Sequence, residues 1–210
     1  MDLRKYEIEE TARNKRTGIV IFLVSIAILM LMTAVTCQGQ VYKATDISMI
    51  LNRTDSISRL ELLTAKKFHK KLNEYRAQKG VGKLRWSDTL YVMAMNHNAW
   101  MVQNKTLLMH EEYKNSYNFT GVTYRDRLDY VLDTKTVGTL ENITWFGVIK
   151  GSMDEIADIA ALTAINAWKD DKPHDDVMIR IGNKVHGVHF SYKGGYCTSE
   201  FYGTLLVKNY

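Results

Sequence analysis

Hydrophobic residues recur at helical spacing in three long segments of the chain, over residues 58–80, 87–104 and 152–170. Ser152 and Glu155 open the third segment at the spacing of a capping box, in which each side chain accepts the other residue's backbone N–H. The pattern predicts three amphipathic helices, each with one buried face. The expected apolar faces are Leu60, Leu63, Phe68, Leu72 and Tyr75; Leu90, Met93, Ala94, His97, Trp100 and Met101; and Ile156, Ile159, Ala160, Thr163 and Trp168.

The last third of the chain changes to the pattern of strands. Residues 185–187 and 196–207 are typical of β-structure, and two consecutive glycines in the turn 193–195 indicate a hairpin between them. A shorter helix is predicted over 124–132. Because helices precede antiparallel strands, the sequence predicts an α+β domain with helices packed on a sheet.

The only proline, Pro173, follows the third long helix. Proline disfavours the helical conformation at the residue before it, so this helix is expected to end near Asp170 and a short one to begin at Pro173. His174 then lies beside a turn, where its side chain can face a cleft rather than the core.

The N-terminal region contains a candidate membrane segment. Residues 18–36 carry no charged side chain, and a helix of that length spans a bilayer core of roughly 30 Å. Basic residues within 1–17 place the N-terminus in the cytoplasm. We predict a basic cytoplasmic N-terminus (1–17), a single membrane anchor (18–36), a linker (37–60) and an extracytoplasmic domain (61–210).

Two processing alternatives stay open. Cleavage after Ala34 or Gly39 would make residues 18–36 a signal segment and release a secreted protein. Cys37 is placed as in a lipoprotein, although Thr36 is a poor match for the usual small residue before it. The only other cysteine, Cys197, lies in a predicted strand, so the domain has no internal disulfide and Cys197 is expected to be a buried thiol.

Composition excludes some classes of function. The chain is 46% hydrophobic and 24% charged, as in globular proteins. The net charge is only +5, and no run of Lys and Arg is interleaved with aromatic residues, so nucleic-acid binding is not expected.

The sequence has no G-x-S-x-G, H-E-x-x-H or Gly-rich phosphate loop. His186 and His189 should point to opposite faces of a strand and chelate poorly. Sequons occur at Asn52, Asn104, Asn118 and Asn142 and matter only in a source that glycosylates exported proteins.

Six short motifs follow one another over residues 61–208. They are Leu72-Asn73-Glu74-Tyr75-Arg76; Leu84-x-Trp86 followed by Leu90, Ala94 and His97; His110; Asp126-Arg127-Leu128 before Leu140-Glu141-Asn142-Ile143; Trp168-x-x-Asp171-x-x-His174; and Tyr196-x-x-x-x-Phe201. In this order and spacing they resemble the CAP superfamily of cysteine-rich secretory, antigen 5 and pathogenesis-related proteins, and especially its bacterial SCP-like branch. The lack of disulfides also favours a bacterial source.

The resemblance implies an α-β-α sandwich with a central antiparallel sheet flanked by helices. It also implies an open cleft lined by His110, Glu141 and His174, with Asp171 as a candidate stand-in for a second acidic residue. Three positions depart from the family pattern. Leu140 replaces the glycine of the Glu-Asn motif, Asp171 replaces a serine usual in bacterial relatives, and Val177 replaces an asparagine common after the histidine.

The two histidines of this implied cleft are candidate metal ligands. Neutral imidazoles hold Zn²⁺ at about 2.0–2.1 Å, and a catalytic zinc site usually has three protein ligands. His110 and His174 alone therefore indicate weak, exchangeable zinc binding unless a carboxylate joins them. Glu141 could ligate the metal, orient a histidine, or act as a general base.

Three hypotheses for the function stay open. The first is a non-catalytic extracytoplasmic module that binds a ligand, peptide or envelope component in the cleft. The second is a metal-dependent, peptidase-like hydrolase that uses the same residues. The third is a structural or interaction domain in which Glu141 and the histidines form a hydrogen-bonded network.

Overall fold

A computed structural model describes residues 40–132, 139–147 and 149–192, and the backbone of 197–204. The predicted membrane segment 18–36, the turn 193–195 and the side chain of Cys197 lie outside the described residues. None of the helices in the described ranges combines the length and the hydrophobicity that a membrane span needs.

The described chain contains six α-helices, four strands and one 3₁₀ turn at Ala44–Asp46. Their order is α1 (Ile47–Leu51), α2 (Ser56–Gln78), β1 (Arg85–Trp86), α3 (Asp88–Gln103), α4 (Tyr124–Leu132), β2 (Glu141–Phe146), α5 (Met153–Lys169), α6 (Lys172–Met178), β3 (Val185–Ser191) and β4 (Cys197–Thr204).

Local signals account for where the helices begin. Ser87 caps α3 by accepting the backbone N–H of Leu90, and Ser152 forms the predicted capping box at the start of α5. Helix α2 begins two residues earlier than expected because Asp55 is its N-cap. The predicted end of α5 near Asp170 and the short helix that follows it are confirmed.

The four strands form one sheet in the order β1-β3-β4-β2. β3 pairs with β4 and β4 with β2, both antiparallel, while the two-residue β1 pairs parallel to β3 at one edge. The predicted central antiparallel sheet is confirmed, with this short parallel addition.

Helices cover both faces of the sheet through β3. Phe190 faces α2, where its ring lies 5.9 Å from that of Phe68, and His186 also faces α2. His189 points to the other face, where its Nδ1 atom lies 3.0 Å from the side-chain amide nitrogen of Asn98 on α3. Gly187 lets α3 approach closely, since a Cβ there would lie 2.5 Å from the carbonyl carbon of Leu90. The α-β-α sandwich and the opposite directions of His186 and His189 are confirmed.

The buried face of helix α5 differs from the apolar face that the sequence predicts. Its fully buried residues include four alanines, whose small side chains let α5 pack closely on α2: Ala157, Ala160, Ala161 and Ala164. Ala160 and Trp168 are buried as expected, but Ile159 is 45% exposed. The prediction for Ile159 is therefore wrong, because the spacing of large apolar residues does not reveal a face built from alanine.

Residues 40–55, which the sequence assigned to a linker, pack against the domain. Tyr42 and Ile50 are buried in the core. The side chain of Asn96 accepts the backbone N–H of Tyr42 at 2.9 Å and donates to its carbonyl at 2.8 Å. The folded unit thus includes part of the predicted linker. The sequence did not indicate these contacts, because the segment has no clear hydrophobic periodicity.

Candidate functional site

His110 and Glu141 form a direct pair. His110 lies in the loop between α3 and α4, and Glu141 is the first residue of β2. The His110 Nδ1 atom is hydrogen-bonded to Oε1 of Glu141. The imidazole is 53% exposed, whereas the carboxylate side chain is 1% exposed. One member of the pair therefore faces solvent and the other supports it from inside.

Arg127 binds the opposite side of the same carboxylate. Its Nη2 atom donates to Oε2 of Glu141, and its Nη1 atom donates to the backbone carbonyl of His110 at 3.0 Å. Arg127 is fully buried on α4. Glu141 therefore has a partner on each oxygen, one exposed and one buried.

Neighbouring charges and burial both shift the pKa values of His110 and Glu141. The hydrogen bond to the Glu141 carboxylate raises the pKa of His110, although burial and the nearby Arg127 act in the opposite direction. Burial by itself would raise the pKa of Glu141, but the charge of Arg127 and the hydrogen bond from His110 outweigh it and lower that pKa. Glu141 is therefore held as a buried carboxylate.

A second buried carboxylate, Glu112, holds the loop that carries His110. Its Oε2 atom accepts the backbone N–H of Thr120 at 2.6 Å and of Gly121 at 3.3 Å. Its Oε1 atom is 2.9 Å from Nδ1 of His97, whose Nε2 atom is 2.8 Å from the carbonyl of Met109. The packed, hydrogen-bonded histidine predicted at position 97 is confirmed, and it fixes the residue before His110.

His174 and Asp171 form a second histidine–carboxylate pair, at the start of α6. Nδ1 of His174 is 2.8 Å from Oδ2 of Asp171, the N-cap residue of that helix. Their side chains are 30% and 51% exposed, respectively. We call His110, Glu141, Asp171 and His174 the histidine–carboxylate site.

Three consecutive residues of β2 connect the parts of this site. Glu141 binds His110, the amide of Asn142 donates to the carbonyl of His174 at 2.9 Å, and the carbonyl of Ile143 accepts the indole N–H of Trp168 at 3.2 Å. Asn142 is 1% exposed, so a glycan does not fit at this sequon.

The Nε2 atoms of His110 and His174 make no hydrogen bond to any described residue. An imidazole Nε2 atom can accept a hydrogen bond from a ligand when the ring is neutral and donate one when it is protonated. Among the described residues, no three His, Cys, Asp or Glu side chains converge as a metal site would require. The ligand-binding roles of the four residues stay predictions.

Sequence reasoning assigned no role to Arg127 or Glu112. Arg127 lies four residues before Val131 in the predicted helix 124–132, and this spacing places the two residues on one face of the helix. The structure buries both, so the spacing was a signal that Arg127 faces inward. Glu112 gave no such signal, because its partners Thr120 and Gly121 follow it in an irregular loop.

Comparison with known proteins identifies the family. The profile described as cysteine-rich secretory protein family, CAP, matches residues 69–207. The chain belongs to this family, whose members are generally extracellular, and the predicted resemblance is confirmed. No curated protein matches the chain significantly.

Two solved bacterial structures are similar in fold. An outer surface protein from Borrelia burgdorferi has a TM-score of 0.51 and 15% identity, over 67% of this chain and 91% of that one. An extracellular protein containing a SCP domain from Bacillus anthracis has a TM-score of 0.53 and 17% identity, over 71% of this chain and 43% of that one. At these identities the likeness concerns the fold alone.

Proposed function

We propose that the chain is an extracytoplasmic CAP-domain protein that holds a ligand or partner at the histidine–carboxylate site without catalysing a reaction. The anchor is residues 18–36, and the partner is a small ligand, a peptide or an envelope component. The observation that carries this proposal is the state of Glu141, whose two oxygens are both bonded and almost wholly buried.

This state of Glu141 argues against its use as a general base. A general base must reach the proton that it removes, directly or through one water. Oε1 of Glu141 faces His110, Oε2 faces Arg127, and the pKa of the carboxyl is lowered despite its burial, because the charge of Arg127 holds it ionised. Glu141 is suited to orienting His110 rather than to proton transfer.

The groups that remain for a ligand are the Nε2 atoms of His110 and His174. Each ring is held at Nδ1 by a carboxylate, so the direction of Nε2 is set before a ligand arrives. Such preorganisation lowers the entropy lost on binding.

The alternative is a metal-dependent, peptidase-like hydrolase. One observation favours it, since a carboxylate on the far nitrogen of each histidine is the usual support of zinc-bound imidazole. The donor set fits Zn²⁺ through His110 and His174 only as a weak site, because the described residues supply no converging third ligand. When bound, Zn²⁺ would supply Lewis-acid chemistry at these two nitrogens.

An extracytoplasmic location is supported by the family and by the segment before the domain. The CAP family is generally extracellular, and basic residues within 1–17 precede the apolar stretch 18–36. Surface labelling of whole cells with a membrane-impermeant reagent tests this location.

The binding proposal is tested by imidazole NMR of the full-length chain in detergent micelles. Soluble peptidoglycan fragments and a mixture of short peptides are the probes. We expect a probe to shift the signals of His110 and His174 and to lose affinity in His110→Ala and His174→Ala, while His69→Gln, outside the site, binds normally. Binding that survives both alanine variants would move the partner to another surface. Casein hydrolysis that is lost in a folded Glu141→Gln variant would favour the hydrolase.

A further inference from the structure

One buried side chain, Arg127, contacts both members of the pair that presents His110. Its guanidinium donates to the carboxylate of Glu141 and, at 3.0 Å, to the backbone carbonyl of His110. A third acceptor, the carbonyl of Val122, lies 3.4 Å from Nη1. Arg127 therefore joins the loop that carries the histidine to the strand that carries its carboxylate.

The chemistry of arginine suits this bridge. The guanidinium is a rigid plane with five N–H donors, so one group can bind acceptors on two different segments at fixed angles. Helix α4 supplies the position, because Leu128 and Val131 are buried in the core beside Arg127.

Other contacts fix the backbone on both sides of His110. Nε2 of His97 is 2.8 Å from the carbonyl of Met109, and the backbone N–H of Glu112 donates to the carbonyl of Val122 at 3.0 Å. What these contacts leave open is the orientation of the His110 ring. Glu141 sets that orientation at Nδ1, and Arg127 sets the orientation of Glu141.

We propose that Arg127 is a positioning residue for His110. Acting through Glu141, it selects the ring form with a proton on Nδ1 and turns Nε2 outward, while it touches no ligand itself. This inference rests on the proposed function only in expecting a ligand at Nε2.

The test is the ring tautomer of His110 in the ligand-free protein. Full-length chain labelled with ¹⁵N-histidine is studied in detergent micelles, at a pH high enough to keep the ring neutral. Two-bond ¹H–¹⁵N correlations report which nitrogen carries the proton, and His110→Gln assigns the signal. We expect wild type to carry the proton on Nδ1 alone.

Three variants separate positioning from simple destabilisation. Arg127→Met should lose the single Nδ1–H form of His110 and give a mixture of tautomers. Arg127→Lys, which keeps the charge, should restore the Nδ1–H form in part. Leu128→Ala removes a buried neighbour on α4 and should leave the His110 signal as in wild type. His174, which pairs with Asp171, is the internal control in every sample.

A folded Arg127→Met protein with an unchanged His110 signal would overturn the inference, as would a wild-type ring protonated on Nε2. If Arg127→Met does not fold, the Nη–H signals of Arg127 in the wild-type protein test the inference instead. The bridge requires separate, slowly exchanging Nη–H signals for Arg127, and a freely rotating, rapidly exchanging group would contradict it. Because no ligand is added, failed ligand binding with an intact His110 signal would count against the proposed function alone.

Discussion

Replacing Glu112 with alanine tests the buried network behind His110. Glu112 is 1% exposed, so its contacts are made away from bulk water. The variant removes the acceptor of the Thr120 and Gly121 backbone N–H groups and the partner of Nδ1 of His97. It thus leaves several buried polar groups without their partner at once.

The magnitude follows from these losses. Oε1 of Glu112 also lies 4.0 Å from Nε of the buried Arg127. Removing one member of a buried ion pair costs about 3–5 kcal/mol, and a buried N–H left without an acceptor costs about 1–3 kcal/mol more. Relaxation of the loop offsets part of the sum, so we expect Glu112→Ala to lower the free energy of unfolding by at least about 3 kcal/mol. At about 2–4 °C per kcal/mol for a domain of this size, Tm falls by about 6–12 °C or more.

Urea and thermal unfolding followed by circular dichroism measure the effect. The matched control is Glu111→Ala, because Glu111 is the neighbouring residue in the same loop and is exposed. The control should change stability by less than about 0.5 kcal/mol. A loss below about 1 kcal/mol in Glu112→Ala, similar to the control, would refute the claim that this carboxylate holds the loop.

Three further changes follow from the packing. Gly187→Ala should cost about 3 kcal/mol in urea unfolding, because the new Cβ would meet the backbone of α3 at the nitrogen of Tyr91; an unchanged midpoint would contradict this close approach. Burial, aided by a neighbouring histidine and arginine, lowers the pKa of His186 well below 6.5. The unfolded chain therefore binds a proton that the folded chain does not, so the contribution of His186 to stability is present above about pH 6.5 and falls as the pH drops below it. Because the raised pKa of His110 acts in the opposite direction, the comparison is with His186→Phe, which should lose less stability than wild type between pH 7 and 5; equal losses would disprove this. Asn96→Ala should lower the free energy of unfolding by about 1–3 kcal/mol and speed hydrogen exchange at the amide of Tyr42. Unchanged exchange would show that contacts other than those of Asn96 hold residues 40–55 on the domain.

Features that depend on residues close in sequence could be predicted. The capping box of Ser152 and Glu155 is a set of local hydrogen bonds, and it is confirmed. The helix after Pro173 follows from the fixed φ of proline. Element order and the family were also predicted, because several motifs appear in one sequence order.

Features that depend on distant partners could not be predicted. The alanine face of α5 exists because α2 lies against it, so the exposure of Ile159 followed from neither helix alone. Tyr42 is buried because Asn96, 54 residues away, binds its backbone. At the site, the sequence predicted His110 and Glu141 through resemblance but gave no role to Arg127, whose acceptors come from a loop and a strand.

The central claim is that His110 and His174 form one site. The most direct test is to titrate the full-length chain with Zn²⁺ as a probe and to follow binding by calorimetry. The set is wild type, His110→Ala, His174→Ala and the double variant, with His69→Gln as control. We predict one Zn²⁺ per chain, loss of binding in each single variant, and no further loss in the double variant, because ligands of one ion act together. Two independent binding events, or binding retained in the double variant, would contradict a single histidine–carboxylate site.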